Sequence, residues 1–199
     1  IQFIKNYFFS IFPLFLGPNG KTKKALILDC DNTLWKGILG EDGFHKIRIF
    51  DEIQHIIKNI SKKGVLLGLC SKNNSEEIEH VLKKHKDMIL KDDDFVIKKI
   101  NWNDKVSNLI EISKELNINL DSIVFVDDSD FEINLIRQEL PMVHVMQVPQ
   151  KNYKYSIMLR ELENLFYNKN QTTEDRERLD MYKANIKRKN LQNKITNLD

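Results

Sequence analysis

The sequence predicts a three-layer α/β fold, Rossmann-like, in which helices cover both faces of a central parallel sheet and only a small flap stands over its end. Three observations carry this. Short, nearly continuous apolar runs recur along the chain, amphipathic stretches of helical period separate most of them, and polar residues gather directly after the runs. Strands that are apolar throughout are buried on both faces, and parallel strands need long crossover connections, so the alternation reads as strand, helix, strand around one sheet.

The elements follow in order. Residues 7–16 are the most apolar stretch, but ten residues interrupted by Pro13 are too few to span a bilayer as a helix. The following GPNGKTKK offers no small-residue cleavage site, so residues 1–20 are expected to form a packed arm or the end of a preceding domain. Strands are expected at 25–28, 65–69, 95–97, 123–126 and 143–146. Helices are expected over 51–63 from Ile53, Ile56, Ile57 and Ile60, over 76–85 from Ile78, Val81 and Leu82, and over 104–116 from Leu109, Ile112 and Leu116. These elements make residues 21–170 one domain. Between Thr33 and Ser71 there is room for a flap around 35–43, with turn chemistry at GEDG, and one helix, but not for a separate cap domain. Residues 171–199 are expected to form a helical extension or linker: Thr172 and Asp175 have capping-box spacing, and Leu179, Tyr182 and Ile186 make a narrow stripe suited to docking. The chain opens on Ile1 and closes on the polar NKITNLD, as a piece of a longer polypeptide would.

Composition bounds the function. A chain of 199 residues, 41% hydrophobic and 30% charged, can bury one sizeable core, and 31 basic against 29 acidic residues give a formal charge of only +2. That balance argues against a nucleic-acid or anionic-membrane surface. Cys30 and Cys70 sit inside apolar segments rather than in a spaced framework, which fits a reducing, cytoplasmic setting. The five histidines show no ligand spacing, so zinc is not indicated.

In parallel α/β sheets ligands bind beyond the carboxyl ends of the strands. After the first run come Asp29, Asp31, Asn32 and Thr33, after the second Ser71 and Lys72, and after the fourth Asp127 and Asp128. Singly, such residues cap helices and make turns. Together they bring up to four carboxylates to one crevice, and two unit charges about 4 Å apart repel by roughly 4 kcal/mol at an effective dielectric near 20. Such a cluster calls for a cation, and oxygen ligands without soft partners suit Mg2+. Ser71, with the backbone around it and the helix that follows, is placed to hold an anionic oxygen such as phosphate, and Lys105 can reach the same crevice to balance charge.

The order DCDNT, Ser71, Lys105, Asp127–Asp128 resembles the four motifs of the haloacid dehalogenase superfamily. DCDNTLWKGILGEDG, LCSKNN, INWNDK, VFVDDS and TTEDRERLDMY resemble more narrowly its FkbH-like branch, also described as subfamily IIIC phosphatases, over roughly residues 21–190. The resemblance implies Asp29 as a nucleophile forming an aspartyl-phosphate and Asp31 as acid/base. It implies Ser71 and Lys105 on the transferring phosphoryl group, with Asn32, Thr33 and Lys72 nearby. Mg2+ would be held by Asp29, the Asp31 carbonyl and the Asp127–Asp128 pair, with Asp128 the first choice. The expected substrate is a phosphorylated small molecule, presented in an open site that a macromolecule or a flanking domain could close.

The branch also includes proteins that deliver a glyceryl unit from 1,3-bisphosphoglycerate to an acyl carrier protein, which makes Cys70 a candidate acyl acceptor. The short segment after GEDG, and the missing proline and arginine after the acid pair, depart from those carrier-loading members. A third class, a catalytically silent module of a biosynthetic assembly, would keep the fold while losing the acids, and here the acids are intact.

Overall fold

Residues 23–150 and 154–166 are described by the computed structural model, with helical positions at 177, 181, 182, 184, 185 and 188. The expected arm at 1–20, with its apolar run, and most of the expected extension at 171–199 lie outside the described residues. Tyr182 is described, and it packs against the core. Among the described residues no helix is long and apolar enough to cross a membrane.

Strand β1 (Ala25–Leu28) is followed by a hairpin of β2 (Trp35–Lys36) and β3 (Arg48–Ile49), which pair antiparallel around a single-turn helix, α1 (Leu39–Asp42). Then come α2 (Asp51–Lys62), β4 (Leu66–Ser71), α3 (Ser75–Lys84), β5 (Phe95–Ile100), α4 (Lys105–Leu116), β6 (Ile123–Asp127), α5 (Asp130–Glu139), β7 (His144–Gln147) and α6 (Tyr155–Leu165). The main sheet has the order β5-β4-β1-β6-β7 with every neighbouring pair parallel. This is the predicted three-layer α/β fold, with the hairpin and α1 as its flap.

The layers follow from alternation along the strands. Leu26, Leu28, Leu67, Leu69, Val124 and Val126 face one core, completed by Ile53, Ile57 and Ile60 of α2, Ile78, Val81 and Leu82 of α3, and Met158, Leu159 and Leu162 of α6. Ala25, Ile27, Leu66, Cys70 and Phe125 face the other, against Leu109, Ile112 and Leu116 of α4 and Ile133 and Ile136 of α5. Each fully buried leucine or isoleucine contributes roughly 1.5–3 kcal/mol, so the stripes read from the sequence are also what holds the helices to the sheet. Gln54, buried on α2, ties the flap's root to the far loop: its Nε2 donates to the Leu34 carbonyl at 3.0 Å, and its Oε1 accepts from the amides of Ile89 and Leu90 at 3.0 Å each.

Three local features differ from the sequence reading. Strands β4 and β5 continue beyond their apolar runs, because the backbone ladder pairs Cys70 with Lys99 and Ser71 with Ile100 after the side-chain pattern has ended. Helices α5 and α6 carry no expectation from the sequence; α5 has a thin stripe in which Glu132 is buried beside Ile133 and Ile136. GEDG does not make the hairpin turn expected of it. Its first three residues lie in α1, Asp42 Oδ2 accepts from the Ile38 amide at 2.9 Å, and Gly43 ends the helix at φ +79°.

Gly68, at the centre of β4, has no room for a side chain: a Cβ there would meet Ile27 Cδ1 at 2.7 Å and Ile97 Cγ2 at 2.8 Å. Gly68→Ala is expected to cost about 1–3 kcal/mol through overpacking, read as a lower urea midpoint with an unchanged slope.

Candidate active site

Strand β1 lies at the centre of the sheet. The chain passes from it to β4 and β5 on one side, then returns to β6 and β7 on the other, so the direction of winding reverses between β1 and β6. A crevice forms beyond the strand ends at such a reversal. Asp29 follows β1 directly, with its amide donating to the Val126 carbonyl of β6 at 2.9 Å, while Ser71 ends β4 and Asp127 ends β6. The topology therefore delivers all three to one place.

Lys105, the first residue of α4, points into this crevice. Asp104 caps the helix by accepting from the Ser107 amide at 2.7 Å, which fixes the first turn and so the lysine's root. The ammonium donates to Asp29 Oδ1 at 2.8 Å and to Asp127 Oδ2 at 2.6 Å, and all three side chains are buried. At these separations each attraction is on the order of 6 kcal/mol at an effective dielectric near 20, before desolvation is counted. Burial opposes the ammonium's charge, but Asp29 and Asp127 outweigh it and hold Lys105 protonated above the ordinary lysine range. For Asp29 the balance is different. Burial pushes its carboxyl up, Lys105 pulls it back and Asp127 pushes it up again, which together leave it raised to about 7.

Asp127 also accepts from the Ser129 amide at 2.9 Å. Asp128 is half-buried, and burial, then the neighbouring Asp127, raises its carboxyl above the ordinary aspartate value. Asp29, Asp127 and Asp128 each offer a carboxylate oxygen, and these atoms all lie within 4.8 Å of one another. Three hard oxygen donors, with only one ammonium between them, fit a divalent cation of the magnesium or calcium type.

Asp31 stands at the flap side of the crevice. Its Oδ1 accepts from the Trp35 indole at 2.9 Å and the Leu39 amide at 3.0 Å, and its Oδ2 accepts from the Asn73 amide nitrogen at 2.7 Å. Asn32 adopts the left-handed conformation at φ +52°, and its Oδ1 accepts from the Gly37 amide at 3.0 Å, so in this structure it shapes the turn between β1 and the flap. Among the described residues Thr33 Oγ1 and Ser71 Oγ are buried without a hydrogen-bond partner of normal geometry, although Ser71 stands close enough to Asp29 to favour its ionised form. Buried hydroxyls are normally paired, so two unpaired ones at the ends of β1 and β4 suit a ligand rich in acceptors. Lys72 reaches from the β4 side to Glu132 Oε1 on α5 at 2.8 Å. Cys70 is fully enclosed in the core, where burial pushes its thiol up to about 12.

Reading the sequence by strand ends finds Asp29, Ser71, Lys105 and the acid pair, but passes over Trp35, Asn73 and Glu132. Trp35 stands in an apolar stretch and reads as packing. Asn73 lies two residues beyond Ser71, in the SKNN run, and that proximity is its only signal.

Lys105→Met would leave two buried carboxylates facing each other, and is expected to cost roughly 3–5 kcal/mol in cation-free protein. Urea unfolding in a chelating buffer measures this.

No family model matches the chain, and no curated protein does. Among solved structures it is similar to the N-terminal part of a Bacteroides fragilis protein containing a phosphatase domain, crystallised with magnesium, at 35% identity and a TM-score of 0.71. That likeness covers 77% of this chain and 43% of the other, so the chain spans less than half of that structure's length. It is also similar to the haloacid dehalogenase domain of a Legionella pneumophila effector, at 13% identity and a TM-score of 0.54, covering 71% of this chain and 93% of that one. A haloacid dehalogenase family enzyme from Bacteroides thetaiotaomicron shares 11% identity at a TM-score of 0.50, covering 69% and 99%. The strand order, the flap and these likenesses together give the chain the α/β fold of the haloacid dehalogenase superfamily.

Proposed function

We propose that the chain is a Mg2+-dependent phosphatase or phosphotransferase of the haloacid dehalogenase type, and that Asp29 is its phosphoryl-accepting nucleophile. The observation that carries this reading is the placement of Asp29: a buried carboxylate at the end of the central strand, bonded to Lys105 and grouped with Asp127 and Asp128. The likeness to a phosphatase domain crystallised with magnesium supports the same reading.

In this reading an oxygen of Asp29 attacks phosphorus, the bond from phosphorus to the leaving-group oxygen breaks, and Asp31 gives that oxygen a proton. A water then attacks the aspartyl-phosphate while Asp31 takes its proton back, which releases phosphate and restores Asp29. Lys105 keeps Asp29 oriented and offsets the charge that gathers as phosphate arrives. The unpaired hydroxyls of Ser71 and Thr33 are available to the phosphoryl oxygens, with the ammonium of Lys72 at the rim. Mg2+, held by Asp29, Asp127 and Asp128 with the Asp31 carbonyl, would neutralise the transferring group and align it for in-line attack.

The flap is a hairpin with one helical turn rather than a separate cap domain, which supports reading the crevice as one that a substrate carried on a larger partner could approach. The glyceryl-transfer reading needs Cys70 as a thiolate nucleophile, and enclosure in the core opposes that. A phosphate ester hydrolysed outright is therefore the favoured substrate class.

Phosphate release from aryl and alkyl phosphomonoesters is expected to need Mg2+ and to fall by at least about 1,000-fold in Asp29→Asn. Retention of metal-dependent turnover in that variant would remove Asp29 as nucleophile. A second expectation concerns pH. Because the folded-state carboxyl of Asp29 lies above its unfolded value, this group favours folding at low pH and loses that contribution as pH rises towards about 7. Bound Mg2+ needs the ionised form, so the rise in thermal midpoint on adding Mg2+ is expected to be small at pH 5.5 and larger at pH 8.

A further inference from the structure

Asp31 is the most tightly held carboxylate at the rim of the crevice. Each of its oxygens is engaged by a group from a different part of the chain: the Trp35 indole and Leu39 amide of the flap on Oδ1, and the Asn73 side chain of the β4–α3 loop on Oδ2. The two side-chain donors are themselves immobilised. Trp35, in the flap's own β2, is completely buried in the core, and Asn73 is 6% exposed, between Ser71 at the end of β4 and Asn74, which caps α3 by accepting from the amides of Glu76 and Glu77. A carboxylate that must meet one oxygen of a substrate gains a fixed direction.

We infer that Asn73 is a positioning residue: its amide nitrogen, at 2.7 Å from Asp31 Oδ2, sets the carboxyl of Asp31 against the leaving-group oxygen and links that alignment to the loop that carries Ser71. The inference rests on the proposed acid/base role of Asp31. The flap contacts anchor one oxygen through a core tryptophan and a backbone amide, which no substitution removes cleanly, so Asn73 is the contact that can be changed alone. The flap holds Oδ1 of Asp31, and the β4–α3 loop holds Oδ2.

Alignment of a proton donor matters in proportion to the basicity of the leaving oxygen. A nitrophenolate leaves without help, whereas an alkoxide needs the proton, and a positioned general acid is worth roughly 100-fold or more in such cases. The test compares Asn73→Leu and Asn73→Ser with the wild type on p-nitrophenyl phosphate and on glycerol 2-phosphate, in Mg2+, with thermal midpoints recorded alongside. Asn73→Leu is expected to lower kcat on glycerol 2-phosphate by about 10-fold or more, with KM nearly unchanged, and to change the first-turnover release of p-nitrophenolate, which needs no proton, by less than about 3-fold. Asn73→Ser, which keeps a donor, is expected to recover part of the difference between the two esters. Equal losses in glycerol 2-phosphate turnover and in first-turnover p-nitrophenolate release, or no loss in a folded Asn73→Leu protein, would overturn the positioning role. Should Asn73→Leu fail to fold, the Asn73→Ser ratio decides by the same criterion. Asp31→Asn separates the two levels: lost steady-state turnover of both esters with a retained first-turnover release of p-nitrophenolate upholds the acid/base reading whatever Asn73 does, while full activity in Asp31→Asn, or no wild-type turnover of either ester, overturns that reading and this inference with it.

Discussion

The crevice is organised by one buried ammonium shared between two buried carboxylates. Lys105 lies within 2.8 Å of Asp29 and 2.6 Å of Asp127, and it is what lets these acids be enclosed in ionised form. An isolated ionised carboxylate in such surroundings would take up a proton instead. The shared lysine compensates only in part: one positive charge faces two acids, with Asp128 beside them, and the residual negative charge is what gives the site its appetite for a cation. Stability and chemistry thus lean on the same contact, because the group that makes the acids tolerable also aims Asp29.

That contact depends on topology at long range. Asp29 and Lys105 are separated by 76 residues, Lys105 and Asp127 by 22. They meet because β1 is bracketed by β4 and β6, so the ends of β1 and β6 become neighbours, and because α4 starts where its first side chain can reach both. The two cores hold this arrangement from either face of the sheet, and Gly68 marks how tightly β4 is pressed between β1 and β5. Around the pair a second set of polar contacts is built to a different pattern. Asp31 is held by donors alone, from the flap and from the β4–α3 loop, and Lys72 is matched to Glu132 across the rim. The centre concentrates charge, whereas the rim fixes direction.

Several of these features were legible in the chain itself. Strands that are apolar along their whole length can only be buried on both faces, so the layered α/β fold follows from composition and period, and the ligand-bearing edge follows from the fold. Asp29, Ser71, Lys105 and Asp127–Asp128 were visible because each stands at the end of an apolar run or at the start of a helix, where polarity changes abruptly. The extents of β4 and β5 were not visible, since backbone pairing is blind to the side-chain pattern that ends with the apolar run. Nor was the helical turn inside GEDG, where the Asp42 carboxylate meets the Ile38 amide and overrides the turn that the two glycines suggest.

What only the tertiary structure decided is which polar groups are paired, and with what. The sequence places Cys70 beside Ser71, yet alternation along a strand sends neighbouring side chains to opposite faces, and the enclosed face put the thiol into the core. It shows Asn32 among the acids of DCDNT, but only the fold, with a left-handed backbone there, brings its Oδ1 to the Gly37 amide and its side chain beside Asp128. It carries nothing to tie Trp35 or Asn73 to Asp31, because a hydrogen bond between distant segments has no local signature: it exists only once packing has fixed both ends. The sequence by itself determined the sheet, its working edge and the acids on it, since these depend on patterns within a strand or a turn. The directions in which those acids point, and the charges that make them bearable, belong to the folded chain.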